Sequence, residues 1–439
     1  MKHVSTHAAW RAGLGIVAAS ALLLTGCSSS SNSTAVQSSP TSPAGTAAPA
    51  TTPAATPAVA SGTERAIGDV PWPQVGPGWM LAVWTPITPH MPGNQPPPAE
   101  PTSETATNVV YLVSPTGDRY SIAEFPPADG APRLVDWSGD GSHALFDSTH
   151  GSETSAISID LHTGARTTIP VHGAVNGTVE YTLPEGKAVL ESTGFNGDEP
   201  GTLKRVDLLG NEQFVYPTKD LGGAGQFSGD YLESPDGTQL VLGTANLGNE
   251  VIARSDNSLV VMGNDGSIVR TLPAPMPKAM CSPVKWWAPG VVLTHCAAEG
   301  SGAEQLWKVP VDGGQPTALT AVNTLDNAPG FQGNYGNWNA YETPSGTFLP
   351  TAGACGTSFV SRLTPDGHTE KVTIPGLKDS ADLAGVSGDK LVIVGQVGCG
   401  GGTSLVAYDP VANTSTVLLG PPITKGGGID SARVYPNEK

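Results

Sequence analysis

Four cysteines in the second half of the chain, Cys281, Cys296, Cys355 and Cys399, have the number and spacing of two disulfides. Cys281 and Cys296 lie at nearly equal distances from an Ala-Pro-Gly turn, which places them opposite each other across a hairpin. Cys355 and Cys399 each follow the second strand of a repeated unit, at equivalent positions in neighbouring units. We therefore expect Cys281–Cys296 and Cys355–Cys399 bridges. The rival chemistry is a metal site at His295 and Cys296, which no Cys-x-x-Cys or histidine pair supports.

Carboxylates near strand ends offer a second kind of chemistry, which is acid–base or metal-assisted catalysis at the centre of a repeat protein. The candidates are Asp136, Glu180, Glu233 and Glu342, but they do not share one position in the repeat. The chain also lacks a Gly-x-Ser-x-Gly elbow, a His-Glu-x-x-His motif and a Walker loop. We therefore expect no catalytic residue, no metal and no cofactor, and we keep catalysis as the alternative.

A third group of acids, Asp198, Glu199, Glu250 and Glu299, lies in long polar segments between the second and third strands of repeated units. The long segments of this kind are Thr85–Asn108, Thr193–Gly201, Thr244–Asn257 and Cys296–Glu304. Long loops on a rigid scaffold are where function concentrates, so we expect these four acids to belong to a partner-binding surface. The simpler interpretation is that they are ordinary solvated loop charge.

The elements that must position these residues form a repeat of two β-hairpins. The clearest copies of its first turn are Trp137–Gly141 and Glu233–Gly237, each followed by a short apolar strand. Asp and Gly supply the backbone conformations that short hairpin turns need. Equivalent turns in neighbouring units are 45, 51 and 44 residues apart. Four strands at this period are typical of propeller blades.

The two ends of the repeat region predict how the ring closes. Trp79–Trp84 has the pattern of a second strand with no first strand before it, and Ser431–Pro436 that of a first strand with nothing after it. Together they complete one blade, in which the C-terminal strand is innermost and no edge of the ring is left unpaired. We predict an all-β, seven-bladed β-propeller, or a six-bladed one if a weak unit is an insertion.

The units resemble the propeller repeats of TolB-type proteins, whose pattern is an aromatic residue, Ser-Pro-Asp-Gly and a short apolar strand. Ser234–Gly237 matches that core in full, and Trp137–Gly141 matches it with glycine in place of proline. Gln305–Thr320 is similar to the family's second hairpin. The resemblance covers residues 78–436 and implies the fold. The whole chain resembles the lipid-anchored TolB-like proteins of actinobacteria, of the mycobacterial type, with a low-complexity segment where TolB has its N-terminal domain.

The N-terminal residues predict export and lipidation. Lys2 and Arg11 precede a largely apolar stretch that ends in Leu-Thr-Gly before Cys27, which is the pattern of a lipoprotein signal. We expect cleavage before Cys27 and acyl chains, palmitate among them, that anchor the protein to the outer face of the cytoplasmic membrane. The predicted division is a signal peptide over 1–26, a disordered Ser/Thr/Ala/Pro-rich linker over 27–66 and the propeller domain over 67–439.

The formal net charge of −17 disfavours nucleic acid, which needs a basic surface. These observations predict a monomeric, lipid-anchored, non-catalytic binding or scaffold protein of the cell envelope. Its loop-rich face would recognise a protein or glycan partner. The alternative is a propeller enzyme, such as a metal-dependent lactonase or a sugar dehydrogenase, with its site at the central channel.

Overall fold

The computed structural model describes residues 62–88, 100–129, 132–150, 153–171, 177–323, 338–352, 358–377, 380–396, 402–420 and 427–436. Within these ranges 29 strands form seven sheets. The only helical segments among them are three single 3-10 turns, Ile67–Asp69, Trp72–Gln74 and Pro127–Asp129. The prediction of a seven-bladed β-propeller is confirmed, and the six-bladed alternative is wrong. No helix of the described ranges is long and apolar enough to cross a membrane.

Each blade is a sheet whose strands are named here in order from the innermost to the outermost. Blade 1 contains β29 (Gly428–Val434), β2 (Met80–Thr85), β3 (Asn108–Val113), β4 (Arg119–Phe125) and β1 (Glu64–Ala66). Blade 2 contains β5 (Arg133–Trp137), β6 (His143–His150), β7 (Glu153–Asp160) and β8 (Arg166–Pro170). Blade 3 contains β9 (Gly177–Tyr181), β10 (Ala188–Thr193), β11 (Leu203–Asp207) and β12 (Glu212–Val215).

The remaining four blades follow the same order. Blade 4 contains β13 (Gln226–Glu233), β14 (Gln239–Ala245), β15 (Asn257–Gly263) and β16 (Ile268–Pro273). Blade 5 contains β17 (Ala279–Ala288), β18 (Val291–Ala298), β19 (Glu304–Pro310) and β20 (Thr317–Ala318). Blade 6 contains β21 (Tyr341–Thr343), β22 (Gly346–Ala352), β23 (Ser358–Leu363) and β24 (Thr369–Lys371). Blade 7 contains β25 (Ser380–Ser387), β26 (Lys390–Gln396), β27 (Thr403–Asp409) and β28 (Thr414–Leu419).

The C-terminal strand closes the ring as expected. β29 pairs antiparallel with β2, with Val434 opposite Met80 and Ile429 opposite Trp84. Tyr435 then donates its backbone N–H to the carbonyl of Trp79 at 3.0 Å, which extends the pairing beyond the strand. Blade 1 is therefore assembled from residues at both ends of the described chain.

A fifth strand on blade 1 lies inside the segment that the sequence assigned to the linker. β1 runs parallel to β4, with Glu64 opposite Arg119. Its Glu64 carboxylate accepts a hydrogen bond from the Tyr111 hydroxyl at 2.9 Å, and Arg119 donates to the Gly62 carbonyl at 3.0 Å. Strand pairing in the propeller therefore includes residues before the predicted boundary at residue 67, because the edge of β4 offers backbone partners to this short segment.

Apolar side chains between neighbouring sheets form the core. At the boundary of blades 1 and 2, Phe125 packs against Phe146 with ring centroids 5.1 Å apart, and Trp137 meets Tyr435 edge-on at 5.2 Å. Phe125, Phe146 and Trp137 are at most 1% exposed, and burying each such side chain contributes about 2–3 kcal/mol. Blade-to-blade packing therefore holds the disc together.

The hairpin turns explain the repeated Asp-Gly. In blade 4 the Asp236 carboxylate accepts hydrogen bonds from the Ser234 hydroxyl at 2.6 Å and the Thr238 hydroxyl at 2.8 Å. Gly237 follows with φ of 69°, and a Cβ there would lie 2.2 Å from the carbonyl oxygen of Leu183 in blade 3. The same polar network surrounds Asp140 in blade 2. The turn thus needs both residues, one for its hydrogen bonds and one for its backbone.

Because the strands of a blade alternate in direction, the connections divide between two faces of the disc. We call the face with the turns between first and second and between third and fourth strands the turn face. The opposite face carries the connections between second and third strands and the links between blades, and we call it the loop face.

Candidate functional site

The acids singled out from the sequence lie on the loop face, on three consecutive blades. Asp198 and Glu199 lie between β10 and β11 of blade 3, Glu250 lies between β14 and β15 of blade 4, and Glu299 lies between β18 and β19 of blade 5. All four residues are exposed. The loops that carry them have no regular secondary structure apart from isolated bridges between Asn196 and Glu199 and between Arg254 and Ala279.

These three loops adjoin one another and form one surface, which we call the acidic loop surface. A Cβ added at Gly248 of blade 4 would lie 3.7 Å from the Cβ of Asp198 in blade 3. The Glu299 carboxylate of blade 5 accepts a hydrogen bond from the backbone N–H of Ala253 at 2.9 Å. The N–H of Glu299 in turn donates to the carbonyl of Lys278 at 3.1 Å. Glu299 therefore holds neighbouring loops in place.

The charges of the acidic loop surface are only partly paired. Lys219 lies 3.9 Å from the Glu199 carboxylate, and the two side chains are 72% and 79% exposed, so solvent screens this pair strongly. Arg254 pairs with Asp256 at 2.9 Å and donates to the Gly223 carbonyl at 3.1 Å. A backbone hydrogen bond from Asn257, followed by the charge of Arg254, lowers the pKa of Asp256. The Asp256 carboxylate is therefore ionised at neutral pH.

The fourth long segment, Thr85–Asn108, lies partly outside the described residues. Where it is described, the backbone N–H of Thr88 donates to the Glu100 carboxylate. The Thr88 hydroxyl accepts a hydrogen bond from the N–H of Gly427 at 2.7 Å. The base of this segment is therefore fixed to the residues that lead into β29.

Two of the four carboxylates considered for catalysis converge on one hairpin near the centre of the disc. Asp136 at the end of β5 accepts a hydrogen bond from the N–H of Tyr181 at 3.0 Å. Glu233 at the end of β13 accepts one from the N–H of Leu183 at 2.6 Å. Both donors belong to the first hairpin of blade 3, so blades 2 and 4 each hold blade 3 through a buried carboxylate. Glu180 and Glu342 are exposed on β9 and β21.

Glu233 has a pKa well above that of an ordinary glutamate. Burial raises its pKa to about 7, the hydrogen bond from Leu183 opposes that rise, and the nearby charges of Glu180 and Asp136 add to it. The residue is 5% exposed, and its Oε1 atom is buried with no hydrogen-bond partner among the described residues. A carboxyl in this state can exchange a proton near neutral pH. Its other oxygen, however, is bonded to the backbone of blade 3.

The structure joins Cys281 and Cys296 in a disulfide across β17 and β18, with an S–S distance of 2.06 Å. This bond uses the sulfur that a metal site with His295 would need. His295 instead lies 3.8 Å from the Glu304 carboxylate. No group of three His, Cys, Asp or Glu side chains in the described ranges is arranged to hold a metal ion. Cys27, Cys355 and Cys399 lie outside the described residues.

One residue that the sequence did not single out is Lys285, on the innermost strand of blade 5. Its ammonium group lies 3.8 Å from the ring centroid of Tyr341 on the innermost strand of blade 6. Burial lowers its pKa to about 7. The one sequence signal for it is its position directly before Trp286 and Trp287, in a strand with no other charged residue.

Comparisons with known proteins support the fold alone. No protein-family model matches the sequence, and no curated protein matches it. A solved structure of TolB from Acinetobacter baumannii is 16% identical with a TM-score of 0.40, over 67% of this chain and 63% of that one. The β-propeller domain of the trilobed protease from Pyrococcus furiosus is 14% identical with a TM-score of 0.45, over 77% and 94%.

Enzymes also occur among the similar structures. A prolyl endopeptidase is 14% identical with a TM-score of 0.47, over 82% of this chain. This chain spans 51% of the length of that endopeptidase and 63% of that of TolB. The solved structures similar to this chain thus include both TolB-like propellers and propeller domains of peptidases.

Proposed function

We propose that this protein is a non-catalytic binding propeller of the cell envelope, tethered through a lipid on Cys27, which recognises a protein or glycan partner with the acidic loop surface. The observation that carries the proposal is that loops of three consecutive blades adjoin one another. A partner would therefore meet one continuous surface with exposed carboxylates at Asp198, Glu199 and Glu250. A rigid scaffold beneath such loops lowers the entropy lost on binding.

The buried carboxylates support this assignment, because their hydrogen bonds give them a structural task. Asp136 and Glu233 each accept a backbone N–H of blade 3 in hydrogen bonds of 3.0 and 2.6 Å. Removing such an acceptor leaves a buried N–H unpaired, which costs about 1–3 kcal/mol. A structural role as links between blades therefore accounts for these two acids. The exposed loop acids, by contrast, contribute little to the core.

The test is capture of a partner from envelope extract by the parent and by the triple variant Asp198→Asn, Glu199→Gln, Glu250→Gln. Exposed charges steer encounter, so we expect the variant to associate at least about tenfold more slowly at low salt, with little change in dissociation. The association rate of the parent should fall as salt is added. Surface plasmon resonance with the captured partner measures both rates.

A matched control neutralises three exposed acids of the turn face, in the variant Glu185→Gln, Asp312→Asn, Asp389→Asn. This variant removes the same charge and should capture the partner like the parent. If the turn-face variant loses capture and the loop-face variant keeps it, the binding face is misassigned. Both variants should melt close to the parent.

The second candidate is a propeller enzyme with its site at the central channel, and the near-neutral pKa of Glu233 is the observation that favours it. The purified protein would then turn over a lactone or oxidise a sugar, and Glu233→Gln would abolish that activity while the protein stayed folded. Partner capture that survives Glu233→Gln, with no turnover by the parent, supports the binding function instead.

A further inference from the structure

The tip of the loop between β10 and β11 carries an Asn-Gly pair, Asn196 and Gly197. The chain has a second pair of this kind, but its asparagine, Asn176, lies outside the described residues. Both residues of the first pair are exposed to solvent. They directly precede Asp198 and Glu199, so the pair belongs to the acidic loop surface.

The side-chain amide of Asn196 is unrestrained. It makes no hydrogen bond to any other residue that the structure describes. The amide of Asn264, by contrast, donates to the Gly237 carbonyl at 2.8 Å and accepts from the Arg205 guanidinium at 3.0 Å. The Asn196 amide can therefore rotate towards its own backbone, whereas that of Asn264 is fixed.

The backbone beside this amide is also open. Gly197 has a φ of 61°, and a Cβ there would meet no atom within 4 Å. The turn is closed by two backbone hydrogen bonds between Asn196 and Glu199, both of 3.0 Å, in an isolated bridge and not in a strand ladder. Exposed bonds of this kind open at little cost in free energy, and glycine lets the opened backbone rotate.

We propose that Asn196 is a site of spontaneous deamidation, which adds a carboxylate to the acidic loop surface. The backbone nitrogen of Gly197 attacks Cγ of Asn196 and loses its proton, and the Cγ–Nδ2 bond breaks to release ammonia. A succinimide ring remains. Water then opens this ring at either carbonyl, which leaves aspartate or isoaspartate and consumes no oxidant or reductant. The absence of a Cβ on glycine leaves the attacking nitrogen unshielded.

The product changes both the charge and the backbone of the turn. Three acids then lie close together, at positions 196, 198 and 199, and isoaspartate also adds a methylene group to the backbone between Asn196 and Glu199. More negative charge should speed the encounter with an oppositely charged partner at low salt. This effect on binding rests on the proposed function, whereas the chemical change at Asn196 does not.

The test incubates the purified protein at pH 8 and 37 °C and follows every asparagine by peptide mass spectrometry, with no partner present. Conversion of amide to acid at Asn196 should be at least about tenfold faster than at Asn249 or Asn264, because neither of these precedes a glycine. Fragmentation that distinguishes the two acids should find isoaspartate as well as aspartate at position 196. Because no partner is present, this result is independent of whether the surface binds one.

Asn249 is a matched internal control, since it is exposed on the same surface and precedes Glu250. Asn196→Gln should leave its peptide unmodified over the same period, because the longer side chain closes a ring on the backbone nitrogen less readily. Asn249→Gln should leave the rate at Asn196 unchanged. A rate at Asn196 no higher than that at Asn249 overturns the proposal. A product that contains aspartate alone also overturns it, because the amide would then be hydrolysed without attack by Gly197.

Discussion

Glu233 links the protonation of one side chain to the stability of the whole fold. Its pKa is about 7 in the folded protein because of burial, and near 4.5 in the unfolded chain. The folded state therefore binds the proton more tightly than the unfolded state. The stabilisation that this gives is complete below pH 4.5 and is lost as the pH rises through 7.

Glu233→Gln should change that pH dependence. Glutamine stays neutral and can still accept the N–H of Leu183, so the variant avoids the cost of a buried charge. We expect the variant to gain stability relative to the parent as the pH rises. The free energy of unfolding of the variant minus that of the parent should be about 2–3 kcal/mol larger at pH 8 than at pH 5. Urea denaturation at the two pH values measures this difference. The exposed Glu185→Gln serves as control, and an equal parent–variant difference at both pH values would contradict the linkage.

Asp236 supports its turn through hydrogen bonds that an alanine cannot make. The hydroxyl of Ser234, followed by the backbone N–H of Thr238, lowers the pKa of this carboxyl. Asp236→Ala should lower the free energy of unfolding by about 1–2 kcal/mol at neutral pH. This penalty should shrink in acid, because a depressed pKa means that the stabilisation is lost as the pH falls. Asp389→Ala, in the corresponding turn of blade 7, should change the melting temperature little by comparison.

For single residues, the sequence predicts the hairpin turns better than it predicts which distant side chains meet in the folded ring. The Ser-x-Asp-Gly pattern is local, so the network around Asp140 and Asp236 follows from a few neighbouring residues. No local pattern predicts that Asp136 and Glu233 meet at one hairpin. These acids occupy different positions in the repeat and project from opposite faces of their own sheets. Asp136 points to the following blade, and Glu233 points to the preceding blade. Only the packing of blades 2 and 4 against blade 3 brings them to the same hairpin.

Among the strands, β29 has the largest predicted effect on stability. Deleting Ser431–Lys439 removes most of it, exposes an edge of β2 and removes Val434 and Tyr435 from the core. We expect the free energy of unfolding to fall by at least about 3 kcal/mol, or the protein to stop folding. Deleting only residues 437–439, which follow the described part, is the control. A variant lacking 431–439 that melts like the parent in calorimetry would show that the ring does not depend on this closure.

The strand that sequence reasoning missed is β1. Thr-Glu-Arg-Ala carries too few apolar residues to show the alternation by which the other strands were recognised. Its partners are the backbone of β4 and the side chains of Tyr111 and Arg119, far along the chain. The residues after it extend the attachment, since Trp72 stacks on His162 of blade 2 with ring centroids 3.9 Å apart. Pairing of this kind depends on which edge is free in the folded ring.

For the molecule as a whole, the attachment to the membrane is a prediction from the lipoprotein signal. Cys27→Ser removes the thiol that would carry the lipid. We expect the variant to appear in the soluble fraction, whereas the parent sediments with membranes and is released by detergent. Immunoblots of the fractions measure the distribution. Equal sedimentation of parent and variant, with unchanged mass at the N-terminus, would show that Cys27 is not the anchor.

Both ends of the described chain leave blade 1 on the turn face. At one end Thr63 donates its N–H to Asp118, in the turn between β3 and β4, at 2.8 Å. At the other end Tyr435 packs beside Trp137, next to the turn that contains Gly141. A biotin tag or sensor linker placed before residue 62 or after residue 436 would therefore immobilise the protein with its loop face towards the solution. The two chain ends make this propeller a display scaffold, on which loops can be exchanged while both points of attachment stay out of reach of the analyte.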